Sequence, residues 1–75
     1  MVKLRKVSGD QAIRALRRLG FEKVRHRGSH VVLKRQTKEG EVGCVVPLHP
    51  ELKIGTLKGI LRQAKVTPKE FMDNL

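Results

Sequence analysis

A chain of 75 residues makes one small domain that buries roughly 60 to 65% of its unfolded surface, so its core is thin. Two phenylalanines, no tryptophan, no tyrosine and 39% hydrophobic residues fill an aliphatic core but cannot roof a large ligand cavity, which argues against a deep cofactor site. Seventeen Lys and Arg against seven Asp and Glu give a formal charge of +10, which calls for an anionic partner, and no apolar run approaches the ~20 residues of a spanning helix.

Ser8 followed three residues later by Gln11 is a capping box, and Ala12, Ile13, Ala15, Leu16 and Leu19 share one face of the helix it opens. Arg14, Arg17 and Arg18 fall on the opposite side as a basic stripe. Gly20 supplies a left-handed stop, with Phe21 as its hydrophobic contact. Phe21 to Arg27 and His30 to Arg35 read as two strands turned at Gly28-Ser29. A second turn at Lys38-Glu39-Gly40-Glu41 leads into Val42 to Val46, and Pro47, with no N–H to donate, ends that strand. Cys44, alone, allows neither an internal disulfide nor a thiolate metal cage and is expected as a small buried hydrophobe.

Pro47 to Gly55 holds two prolines and a glycine and is expected as a connecting loop. Thr56 is then expected to cap a second helix in which Leu57, Ile60, Leu61 and Ala64 share a face, with Lys58, Arg62 and Lys65 along one flank. Thr67, Pro68 and Glu70 start a third, short helix whose Phe71, Met72 and Leu75 can pack back. The expected fold is a single α+β domain over residues 1–75. Its order is α-β-β-β-α, with a three-stranded antiparallel sheet, helices on one face and a short extra C-terminal helix.

The triplet Gly28-Ser29-His30, between Arg25-His26-Arg27 and Val31 to Arg35, sets a titratable ring in a basic surface. From Lys3 to Arg35 there are eleven basic residues against only Asp10 and Glu22, so the field is concentrated in the first half. Strand alternation sends Val31, Leu33 and Arg35 one way and His30, Val32 and Lys34 the other. If the valine and leucine face the helices, His30 stands on the open face, beside Lys34 and across from Arg25 and Arg27, where it can meet a phosphodiester. On these grounds alone, a polar strand or turn residue without chemistry is the favoured account of His30. His26 reads as an exposed strand residue, His49 as a loop residue, and their spacing matches no metal motif.

Gly20-Phe21, Arg25 to His30, Val46-Pro47 with His49 after it, and Glu51 to Leu57 running into Ile60 to Ala64 form an ordered set that resembles the HicA toxin family over roughly residues 8 to 66. Two departures are Val31, where many members carry a second polar residue, and the stretch from Phe71 to Leu75 beyond the usual end. The resemblance implies a small double-stranded-RNA-binding-like fold and a type II toxin–antitoxin toxin: a ribosome-independent mRNA interferase neutralised by a HicB antitoxin. It also implies that His30 is the catalytic residue.

RNA supplies its own nucleophile, so the expected mechanism is metal-free and cofactor-free. His30 would serve as acid or base, with Arg25, Arg27, Gly28, Ser29, Lys34 and Lys58 as RNA contacts. The expected partners are mRNA and an antitoxin that is acidic where they meet, with no membrane; no signal-peptide pattern follows Met1, and the expected location is cytoplasmic. A non-catalytic RNA-binding module of similar fold is the alternative.

Overall fold

The capping box forms as the sequence spells it: the Gln11 N–H donates to Ser8 Oγ at 3.0 Å, and the Ser8 N–H donates to Gln11 Oε1 at 2.8 Å. In the computed structural model, which describes residues 3–75, this opens α1, Gly9–Arg18. Its end is a Schellman motif around Gly20 at φ +100°, with the Phe21 N–H reaching Leu16 O and the Gly20 N–H reaching Arg17 O, both at 3.0 Å. Phe21 follows into the core, so the first strand begins one residue later than expected.

The strands are β1 (Glu22–Arg27), β2 (His30–Thr37) and β3 (Gly40–Pro47), an antiparallel meander in the order β1-β2-β3. β3 is longer at both ends than the sequence suggested. Gly40, at φ +122°, pairs with Thr37 and closes the turn, and Pro47 pairs with His30 at the far end of the ladder. A proline is tolerated there because β3 is an edge strand.

The connection is therefore Leu48 to Lys53, and α2 spans Ile54–Ala64. Thr56 does not cap this helix. Lys53 is its N-cap, in an extended conformation and without a side-chain cap bond, and its carbonyl accepts the Leu57 N–H at 2.9 Å. Leu52 and Leu57, the residues just before the cap and four into the helix, are both fully buried, the arrangement of a hydrophobic staple. Leu52 is also tied to the chain before α1, its N–H donating to Val7 O at 2.7 Å. Burial of Leu52 thus sets the helix start ahead of the polar cap signal.

α2 ends on Lys65 in the left-handed region, φ 56°, where no glycine marks the stop. α3, Pro68–Asp73, carries the second capping box, Thr67 with Glu70. Phe71 is completely buried, and the Arg18 guanidinium donates to Asn74 O at 2.7 Å, so the C-terminal helix is part of the core against α1 and α2. Apolar residues of the three helices cover one side of the sheet through Val31, Leu33, Cys44 and Val46. The other side is open.

Candidate nucleic-acid interface

The tip of the β1–β2 hairpin is a two-residue turn. Gly28 takes φ +56° while Ser29 stays at negative φ, the pattern of a turn that wants glycine in its first central position. A side chain at Gly28 would meet no neighbour; the constraint is purely on the backbone. The Ser29 carbonyl accepts the Leu48 N–H at 2.6 Å, which ties the turn to the chain leaving β3. That segment is in turn clamped by α1. The Gly9 N–H donates to His49 O at 2.9 Å, and a Cβ at Gly9 would run into the Pro47 carbonyl.

Immediately after the turn, His30 is exposed and pairs with Arg27 on one side and Pro47 on the other. Directly opposed residues of an antiparallel pair share a face, so Arg27 and His30 emerge together. Two positions on, Val32 lies between Arg25 and Val45, and then Lys34 between Glu22 and Gly43. The open face therefore carries His30, Arg25, Arg27 and Lys34 as one field, with Gly28 and Ser29 at its end.

Lys34 is held by Glu41 at 3.3 Å across a half-exposed pair, an interaction worth at most about 1 kcal/mol and readily exchanged for a phosphate. Neither Arg25 nor Arg27 is in an ion pair among the described residues. Lys58 stands elsewhere, on the helical layer, lining a depression with Leu4, Arg62, Val66 and Pro68.

Sequence reasoning missed two features of this surface. The first is an irregularity in β1: Lys23 pairs with Leu33 and Arg25 with Val32, leaving Val24 as the extra residue of a bulge. The second is apolar. Val24 is 52% exposed and Val45 40%, the exposed large hydrophobics among the described residues. Val45 stands beside Val32 on the open face, and Val24 shares a depression with Glu22, Lys34, Gln36 and Glu41. Val24 was legible only as an ordinary strand residue because a bulge has no reliable signature in one sequence.

Both phenylalanines are buried, so the open face offers bases no aromatic platform; its means are cations, an imidazole and a short valine floor. His26 points to the other side, opposite buried Val31, and its Nε2–H donates to Gly28 O at 2.9 Å. His49 is exposed in the connection after β3. Among the described residues no three His, Cys, Asp or Glu side chains are placed to hold a metal ion, and no helix is long and apolar enough to cross a membrane.

Burial pushes the Cys44 thiol up to about 11, which leaves it protonated and inert at neutral pH. A surface of this kind can hold a phosphodiester and move a proton beside it. The sequence model of a family described as HicA toxin of bacterial toxin-antitoxin matches residues 9–66, a span that holds α1, the whole sheet and α2 but not α3. No curated protein matches the chain.

Proposed function

This chain belongs to the HicA toxin family of bacterial toxin–antitoxin systems, and from that premise we propose that it is an mRNA interferase, a ribosome-independent endoribonuclease in which His30 is the general acid or base. The observation that carries the proposal is the placement of an exposed imidazole at the hairpin tip, paired directly with Arg27 and followed along the same face by Arg25 and Lys34.

In RNA the 2′-oxygen attacks the adjacent phosphorus, an O2′–P bond forms and the P–O5′ bond breaks. The products are a 2′,3′-cyclic phosphate and a 5′-hydroxyl. One proton leaves the 2′-hydroxyl and one must reach O5′, and an imidazole, which can both accept and donate a proton, suits either transfer. Arg27 stands where it can neutralise the crowded phosphorane, Arg25 and Lys34 hold neighbouring phosphates, and the Gly28-Ser29 turn lets the strand approach the backbone closely. No metal is required by this scheme.

A nuclease acting on its own cell's mRNA must be blocked, and a HicB-type antitoxin with an acidic contact surface over His30 and the open face fits the charge of that face. The substrate places the reaction in the cytoplasm.

The test incubates the protein and its His30→Ala variant with single-stranded RNA in excess chelator, with binding followed at matched salt. The expected result is a loss of cleavage of about 10² to 10⁴-fold with binding retained, the usual contribution of one acid–base group. Unchanged cleavage would overturn the role of His30. Binding without cutting by either protein would point to a non-catalytic RNA-binding module.

A further inference from the structure

The underside of β1 is as cationic as its open face. Between α1 and this strand lies a cavity of about 240 Å³, bordered by Arg14 and Arg17 from the helix and by Lys23 and His26 from the strand, over a floor that includes Val31 and Leu48. Asp10 is the one acid on its rim. Arg14, Arg17 and Lys23 are in no ion pair among the described residues, so three cations surround a concave surface with one carboxylate beside them. The volume is several times the ~30 Å³ share of a water molecule, enough for a hydrated anionic group.

We infer that this cleft is a second seat for the RNA backbone, so that a bound strand passes over the edge of β1 from the His30 face to Arg14, Arg17, Lys23 and His26. The inference rests on the reading of RNA as substrate and adds the course of the strand. The bulge at Val24 gives it a structural basis. In a regular strand Lys23, Arg25 and Arg27 would all emerge on one face, whereas the extra residue turns Lys23 to the underside, opposite Leu33, with His26 opposite Val31.

β1 thus carries cations on both faces, and every one of its residues is exposed. His26 links the two sites mechanically. Its Nε2–H is held by Gly28 O at 2.9 Å, in the turn that carries His30, so an anion seated against the ring bears on the same backbone.

The experiment measures binding of uncleavable 2′-O-methyl RNA by fluorescence anisotropy, using a strand of about ten nucleotides, within the usual range of single-strand site sizes, and one of about three. The variants are Arg14→Gln/Arg17→Gln and Lys23→Gln. Arg62→Gln/Lys65→Gln, at the far end of α2, lowers the net charge as much as the arginine pair does.

The expected outcome for Arg14→Gln/Arg17→Gln is about tenfold weaker binding of the longer strand, with a salt slope shallower by about 1.4, the value for two lost phosphate contacts. Binding of the short strand should not change, and the α2 control should show neither effect. Lys23→Gln, on a different element, should weaken the longer strand in the same way, which separates cleft binding from damage to α1. Equal affinity of wild type and both cleft variants overturns the inference, as does a loss matched by the α2 control.

Cleavage of unmodified RNA by the same proteins separates this inference from the one it rests on. Length-dependent binding that needs Arg14 and Arg17, with no cutting by the wild type, upholds the cleft and removes the nuclease reading. Cutting by every protein at equal affinity does the reverse, and no RNA binding by any of them overturns the cleft.

Discussion

Alternate residues of β2 live in opposite surroundings: Val31 and Leu33 are sealed beneath the helices, while His30 and Lys34 stand in solvent on the other face. The buried face closes the core through Leu33, Cys44 and Val46, and the open one holds cations, an imidazole and two exposed valines. A small domain has little core to spare, and a sheet covered on one side lets consecutive residues divide stability from surface chemistry. Substitutions on the two faces should therefore separate cleanly.

The largest difference is expected between neighbours in the chain. Leu33→Ala empties part of a fully buried site and should cost about 2 to 5 kcal/mol, a large fraction of the stability of a domain this size. His30→Ala should leave stability within about 0.5 kcal/mol, since an exposed side chain with no packing role is removed. Urea unfolding of both variants measures the contrast; equal midpoints would mean that the two faces are not divided in this way.

Cys44 sharpens the same comparison without a change of sequence. With its pKa raised from 9.0 to about 11, the native thiol should react about 10²-fold more slowly at pH 8 than the thiol of the urea-unfolded chain, in proportion to the thiolate fraction. A thiol-reactive disulfide reagent measures both rates. The sign for stability follows from the same burial. The unfolded chain releases this proton first, so the contribution is whole below pH 9 and lost as pH rises toward 11. Equally fast reaction of the native protein would show that the covered face opens readily.

A contrast smaller than that between Leu33 and His30 joins the two faces. Gly9→Ala forces the N-terminus of α1 away from Pro47 and Leu48, whose segment braces the Ser29 carbonyl. A cost of about 1 to 3 kcal/mol is expected, as for other overpacked sites, together with altered cleavage although Gly9 lies on neither face of the hairpin. Unfolding and RNA-cleavage assays on this one variant measure both, and an unchanged protein would show that the clamp is loose.

Much of this architecture was legible in the chain. Ser8 with Gln11 and Thr67 with Glu70 are local capping chemistry, and both boxes form because their partners lie three residues apart. The glycine stop at Gly20 and the alternation of β2 are local in the same sense, which is why the side on which His30 emerges could be argued from residues 30 to 35 alone. The start of α2 was misplaced because burial of Leu52, held by Val7, outweighed the polar signal at Thr56. Lys58, close to the sheet residues only by charge, lies on the helical layer.

The sequence by itself determined the composition of the protein's surfaces: a thin aliphatic core, an excess of cations in the first half, and the alternation that sets His30 apart from Val31. Tertiary structure alone decided the strand register, which sets Arg27 opposite His30 and Pro47 beside it, and the bulge at Val24, which sends Lys23 to the side of Arg14 and Arg17. The physical reason is that a strand's face reverses with a shift of one residue. The energy that fixes that shift comes from packing across the sheet, between residues far apart in the chain.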